Sequence, residues 1–234
     1  MTPPLRLLLV EDDRVIREAT RVSMERHGYE VDTAADGLTA LEKFAVCEPD
    51  AVALDIMLPH LDGISVLRRI RETSTVPVVM ISARGDTVDV VNGLEAGADD
   101  YIAKPFDSQI LVARLRAVMR RTAPATTPQA ASSPAVTHAD PAHVFGDLVV
   151  DPDAVEVHKN GQRLSLTPTE LRLLFEFTAY PGQVLSRPTL LRHVWESEWQ
   201  GDSRVVDIHI QRLRAKIGPE HIETVRGFGY RLTR

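Results

Sequence analysis

The first half of the chain alternates short apolar runs with longer amphipathic stretches. Leu5–Val10, Ala51–Leu54 and Val76–Ile81 are apolar runs of strand length, Tyr101–Ala103 is a weaker one, and Tyr29–Thr33 alternates as an edge strand does. Helical periodicity fills the gaps, over 13–27, 36–46, 62–72, 86–96 and 107–121. Strands that are apolar on both faces and separated by helices predict an α/β unit with a five-stranded parallel, doubly wound sheet. In such sheets ligands bind at the carboxyl ends of the strands, so the residues after each run are where chemistry is expected.

The second half has a different pattern. Val149–Val150, Val155–Val157 and Arg163–Leu166 read as short strands, with turn signals at Asp151-Pro152 and Asn160-Gly161. Helical patterns follow near 168–180, 187–196 and 203–217. A terminal strand pair, Ile222–Val225 and Tyr230–Thr233, flanks Arg226-Gly227-Phe228-Gly229. Three helices closed by a β-ribbon predict an α+β winged helix-turn-helix. Between the halves, Thr122 to His143 contains four prolines and almost no large apolar residue, so it cannot build a core. The expected organisation is a first domain over 1–121, a flexible linker over 122–143 and a second domain over 144–234.

Composition adds limits. The net charge of −6 does not mark a nucleic-acid binder, but its distribution is uneven. Residues 1–121 hold 15 Lys/Arg against 20 Asp/Glu, whereas residues 145–234 hold 12 of each. DNA binding by the second half must therefore come from local clustering. The single cysteine, Cys47, permits no internal disulfide and suits a reducing compartment. The apolar run Leu7–Val10 stops at Glu11-Asp12-Asp13, far short of the roughly 20 residues a membrane span needs. No membrane association and a cytoplasmic location are expected.

Candidate chemistry sits where the strand rule places it. Glu11 and Asp12 follow the first strand, and Asp55 ends the third. Converging carboxylates repel unless a cation lies among them, and hard oxygen donors select Mg²⁺. Asp55 is the natural nucleophile. Ser82 after the fourth strand offers a hydroxyl, and Lys104 after the fifth offers a cation, which is a sensible donor pair for a phosphoryl group.

The segments Leu9-Val10-Glu11-Asp12-Asp13, Leu54-Asp55-Ile56-Met57-Leu58-Pro59, Ile81-Ser82-Ala83-Arg84 and Asp99-Asp100-Tyr101-Ile102-Ala103-Lys104-Pro105-Phe106 resemble the flavodoxin-like receiver domain of two-component response regulators. The second half is similar to the effector domain of the OmpR/PhoB subfamily. The resemblance implies that Asp55 accepts a phosphoryl group from a sensor histidine kinase. It implies Mg²⁺ held by Glu11, Asp12, Asp55 and the Met57 backbone carbonyl, a switch pair Ser82 and Tyr101, and a cis bond between Lys104 and Pro105. It further implies a phosphorylation-dependent homodimer formed by the fourth helix, fifth strand and fifth helix, with Glu95, Asp99, Asp100, Arg114 and Arg116 at charged positions. A basic–acidic pair common across that interface is replaced here by Val90 and Ile110, which implies a less salt-sensitive contact.

In the last helix, Val206, Ile210, Leu213 and Ile217 form an inward stripe, while Arg204, Ile208, Arg212 and Ala215 project roughly opposite. An apolar back with arginines in front suits a DNA major groove. By resemblance, Arg212 contacts a base, Arg226 enters the minor groove, and Trp195, Arg204, Arg214, Thr224, Gly227 and Tyr230 touch the backbone. Trp195 could equally anchor the core. Gln211 stands where the subfamily often has a basic residue, which alters base preference. The loop Ser197–Gly201 would face RNA polymerase.

Two other readings remain open at this point. One is a Mg²⁺-dependent phosphohydrolase using Asp55, although Met57 occupies the position where a second catalytic acid would stand. The other is a DNA-binding protein whose receiver serves only as a phosphorylation-independent dimer module. The favoured reading is a non-enzymatic transcription factor that binds tandem-repeat double-stranded DNA.

Overall fold

The computed structural model describes residues 3–83, 87–119, 143–195 and 204–233. The chain divides into two compact units, Met1–Met119 and Arg120–Arg234. Residues 122–142 of the proline-bearing linker and the loop Ser197–Gly201 lie outside the described residues, as does Arg84.

The first unit alternates β1 (Leu5–Val10), α1 (Arg14–Arg26), β2 (Tyr29–Ala34), α2 (Gly37–Cys47), β3 (Ala51–Asp55), α3 (Gly63–Thr73), β4 (Val78–Ala83), α4 (Thr87–Ala96), β5 (Asp100–Lys104) and α5 (Ser108–Met119). The strands form one parallel sheet in the order β2-β1-β3-β4-β5. β3 is buried along its whole length, as a central parallel strand must be when helices cover both faces. Leu7, Leu9, Ala53, Val79 and Ile81 pack on one face with Met24 of α1 and Leu111, Leu115 and Val118 of α5. The alternate positions Leu8, Val10, Val52, Leu54 and Met80 are also buried, on the side left to α2, α3 and α4. Asp13, Asp36 and Asp62 cap the first three helices by accepting backbone N–H bonds, each worth about 1 kcal/mol. Cys47 is buried, as expected of a small apolar residue in that run.

The second unit opens with an antiparallel sheet of four strands, β6 (His143–Phe145), β7 (Leu148–Asp151), β8 (Glu156–Lys159) and β9 (Gln162–Arg163). Sequence reasoning placed His143 in the linker and missed β6. It also began β8 at Val155, which has φ 55° and belongs to the turn before that strand. The Asn160-Gly161 hairpin is as expected, with both residues at positive φ. Then come α6 (Pro168–Ala179), β10 (Val184–Leu185), α7 (Arg187–Leu190) running into a π-helical turn (Leu191–Trp195), α8 (Arg204–Ile217), β11 (Ile222–Val225) and β12 (Gly229–Leu232). β10 joins the terminal hairpin as a third strand, in the order β10-β12-β11. Leu173, Leu174, Phe177, Leu190, Val206, Leu213 and Ile217 fill this core. No described helix is long and apolar enough to cross a membrane.

Candidate functional site

Strand register decides which side chains meet in the first unit. Val10 lies beside Leu54, Leu54 beside Met80, Asp55 beside Ile81, and Ala83 beside Lys104. The carboxyl ends of β1, β3, β4 and β5 are therefore level, and Glu11, Asp55, Ser82 and Lys104 come to one edge. The strand order reverses between β1 and β3, which opens the crevice there. Gly63 lets α3 close in beneath it. Its N–H bonds the Ile56 carbonyl at 2.9 Å, and a Cβ at this position would lie 1.9 Å from the Asp55 carbonyl oxygen.

Within the pocket, Lys104 Nζ donates to Asp55 Oδ2 and to Glu11 Oε1, both at 2.7 Å. The Met57 N–H donates to the other Asp55 oxygen at 3.1 Å. Arg17 holds the β1–α1 loop through the carbonyls of Glu11 and Asp12, at 2.6 and 2.9 Å. Carboxylate oxygens of Glu11, Asp12 and Asp55 lie within 4.8 Å of one another. Glu11 and Asp55 are buried and Asp12 is exposed, so the cluster opens to solvent on one side. Burial raises the Glu11 carboxyl above its usual pKa, the Lys104 hydrogen bond opposes this, and the nearby Asp55 charge adds to the rise. Burial works against the Lys104 ammonium, but its bonds to Asp55 and Glu11 hold its pKa above the ordinary lysine value. The Ser82 hydroxyl is 1% exposed and has no hydrogen-bond partner among the described residues. A buried orphan hydroxyl is costly, and this one ends the strand that lies between those ending in Asp55 and Lys104. The donor set fits a hard divalent cation and an incoming anion with several oxygens. The bond between Lys104 and Pro105 is cis, as the sequence resemblance implied. Tyr101 is half-buried on β5.

Two of the residues expected on a dimer surface also have partners inside the chain. Asp99 is 0% exposed and accepts from Arg71 Nη2 at 2.9 Å and from the Val78 N–H at 3.0 Å, which ties α3 to the edge of β4. Asp100 is 2% exposed and pairs with Arg114 at 3.3 Å. Arg116 is exposed, close enough to Tyr29 on β2, the sheet edge farthest from β5, to oppose the rise that burial causes in the Tyr29 pKa. Asp99 and Asp100 each find an internal partner that lies far off in sequence. Glu95 and Ile110 are exposed and Val90 is half-buried, so these three stay available to a partner.

Burial pushes the Asp100 carboxyl up to about 7, against the pull of Arg114 and the Tyr101 N–H. An acid whose folded pKa exceeds its unfolded value supports the fold when protonated. That support is complete below the unfolded pKa near 4 and is lost as pH rises through about 7. The first unit is expected to lose about 1–3 kcal/mol between pH 5 and 8, and Asp100→Asn to flatten the trend. Calorimetry of both proteins across that range tests it, and parallel profiles would refute the assignment.

The second unit redistributes the DNA candidates. Val206, Ile210, Leu213 and Ile217 are buried as the helical stripe predicts. Ile208, expected on the outer face, is buried at 9% exposure. Arg212, expected to read a base, is 15% exposed and pairs at 3.0 Å with Glu170, which is fully buried. Glu170 also takes Lys216 at 2.7 Å and completes a capping box with Thr167 at the start of α6. Arg214 donates to the Ile222 carbonyl and to Thr224 Oγ1, fastening α8 to β11. Trp195 is 3% exposed with its ring 5.2 Å from that of buried His209, so it is a core anchor. Tyr230 is buried; its hydroxyl donates to Asp207 at 2.6 Å and accepts from Arg187 at 3.0 Å, and burial raises its pKa to about 12. Arg204, Gln211, Thr224, Arg226 and Gly227 remain exposed. Helical periodicity could not show these inward turns, because α8 is enclosed by α6, β11 and the π turn at once. A second acidic group, Asp147, Glu220 and His221, already contains a cation. Lys159 Nζ stands 3.8 Å from Asp147 and 3.1 Å from Glu220.

Comparison with known proteins agrees with both units. Residues 7–116 match the response regulator receiver domain, and residues 161–232 match the family described as transcriptional regulatory protein, C terminal. The transcriptional regulatory protein CseB of Streptomyces coelicolor is 55% identical over 99% of both chains. The DNA-binding response regulator MtrA of Mycolicibacterium smegmatis is 41% identical over 97% of this chain and 96% of that one. The solved structure of a RitR mutant matches with a TM-score of 0.72 at 24% identity, covering 98% of this chain and 99% of that one, a likeness of fold alone. Level strand ends bearing an acidic pocket, a winged-helix unit and full-length relatives together show that the chain belongs to the OmpR/PhoB-type response regulators, transcriptional regulators with a receiver and a DNA-binding domain.

Proposed function

We propose that this regulator is switched by phosphorylation of Asp55. The observation that carries the reading is the meeting of three carboxylates, a lysine and an orphan buried hydroxyl at one sheet edge. A sensor histidine kinase presents a phosphohistidine. One Asp55 oxygen forms the new O–P bond as the N–P bond breaks, and the imidazole nitrogen keeps the bonding pair. When bound, Mg²⁺ held by Glu11, Asp12, Asp55 and the Met57 carbonyl neutralises charge on the transferring group. The phosphoryl group adds about −1.5 to −2 charges. Lys104 then turns its ammonium from the carboxylates to the phosphoryl oxygens, and the Ser82 hydroxyl gains its missing partner. Tyr101 follows Ser82 inward and so reports the pocket's state to the surface of α4, β5 and α5.

That surface, with Val90, Glu95 and Ile110, forms a homodimer. The dimer places two winged-helix domains on tandem DNA repeats, through the exposed edge of α8 and the wing residue Arg226. The working domains are 1–121 and, from β6 onward, 143–234, joined by a linker over 122–142. The setting is the cytoplasm, where DNA, RNA polymerase and the kinase's transmitter meet. The chain turns over no general substrate, so hydrolysis of a generic phosphomonoester by Asp55 would count against this reading.

Selection from a random DNA pool with Mg²⁺, with and without acetyl phosphate, tests the switch. A tandem repeat enriched only with the phosphodonor supports it. Equal enrichment in both arms favours a phosphorylation-independent dimer module.

The kinase needs a seat beside the pocket. An apolar groove of about 540 Å³ runs from Val15, Ile16 and Ala19 on α1 to Pro105 and Phe106. Val15 is 74% exposed there. Val15→Glu is expected to slow transfer from the kinase at least about tenfold and leave labelling by acetyl phosphate unchanged, since a weakened apolar contact of about 1.4 kcal/mol suffices. Equal slowing with both donors would mean that the pocket itself was damaged.

A further inference from the structure

Phe228 is the most exposed large apolar residue described in the second unit, at 72%. It stands at the tip of the β11–β12 hairpin, beside exposed Arg226. The tip is tightly built. The Phe228 N–H bonds the Val225 carbonyl at 3.0 Å, and Thr224 and Val225 pair with Tyr230 and Gly229. Gly227 has φ +81° and leaves open space around it. Gly229 has φ +146°, and a Cβ there would lie 2.1 Å from the Leu185 carbonyl oxygen, so β12 is pressed against β10. The hairpin base is referenced to α8 by Asp207 with Tyr230 and by Arg214 with Ile222. A phenyl ring is thus held out into solvent on a fixed support. The fold needs a turn here but not an aromatic ring.

We propose that Phe228 is a wedge that enters the DNA minor groove beside Arg226, partly unstacks one base step and so determines sequence preference at the wing. This rests on the DNA-binding role stated above. The arginine is drawn by the negative potential of an A·T-rich minor groove. The ring needs a step that opens, and pyrimidine–purine steps open most easily. The two side chains make different demands. An arginine alone favours a stiff, narrow A-tract, whereas an arginine with a wedge favours TpA within A·T-rich sequence.

The test uses the full-length phosphorylated protein and its selected DNA, with TpA or ApA at the step beneath the wing and 2-aminopurine as the reporting base. Wild type is expected to prefer TpA at least fivefold and to raise 2-aminopurine emission on binding. Phe228→Ala should lose both effects and keep its melting temperature, because the ring lies in solvent and not in the core. Arg226→Ala should weaken binding to both duplexes without reducing the TpA preference or the rise in emission. Unchanged preference and emission in Phe228→Ala would overturn the wedge while leaving DNA binding intact. No selected sequence for phosphorylated wild type would instead overturn the DNA-binding role, and the wedge with it.

Discussion

Asp55→Asn is expected to reduce labelling from acetyl phosphate to background. The amide keeps the shape of the side chain, but its single carbonyl oxygen can accept from only one of the Met57 N–H and Lys104, which bond opposite oxygens of Asp55, and it has no anionic oxygen to attack phosphorus. The same variant tests the metal site. With carboxylate oxygens of Glu11, Asp12 and Asp55 within 4.8 Å of one another, wild type should gain stability from Mg²⁺, by about 2.7 kcal/mol at a hundred times the dissociation constant. Removing one of the three charges should weaken that gain. Labelling of Asp55→Asn at the wild-type rate would move the acceptor to another residue, and an undiminished Mg²⁺ effect would move the metal away from Asp55.

Glu170→Ala should be the most damaging change in the DNA-binding unit, at about 3–5 kcal/mol. The side chain is fully buried, yet it carries the capping box of α6 and the ion pairs to Arg212 and Lys216. Its loss takes from Arg212, 15% exposed, a carboxylate at 3.0 Å, and from Lys216 one at 2.7 Å. Urea unfolding followed by the fluorescence of buried Trp195 measures the effect. Arg212→Ala should cost less, because Glu170 keeps Lys216. If both variants unfolded at the wild-type urea concentration, the hub would be packing without energetic weight.

The sequence disclosed the receiver almost completely, and the reason is physical. A parallel sheet covered on both faces demands continuous apolar runs, and Leu7–Val10, Ala51–Leu54 and Val78–Ile81 meet that demand without interruption. Chemistry must then sit where each run stops, which is where Glu11, Asp55 and Ser82 stand. Short antiparallel pieces carry no such signature. β10 has two residues and β6 three, too few for alternation to show. The partners of charged residues were the least legible. Asp99, Asp100, Arg212 and Arg214 have the look of surface positions, and each is bound by a partner that local sequence does not mark, such as Arg71 for Asp99. A helical wheel assumes one covering neighbour. α8 has contacts on several sides, so Ile208 was assigned to the wrong face.

The anchoring of α8 also bears on how such regulators diverge after duplication. Arg212, Arg214, Lys216 and Asp207 each hold the helix to another element, so change at any of them risks the fold before it alters the operator. Among the described residues of α8, Arg204, Gln211 and Ala215 are the exposed ones. New binding preferences can arise at Gln211 and Ala215 in a chain that still folds. Gln211, an exposed amide able to pair with an adenine edge, is a position where such a preference can be written without loosening the helix.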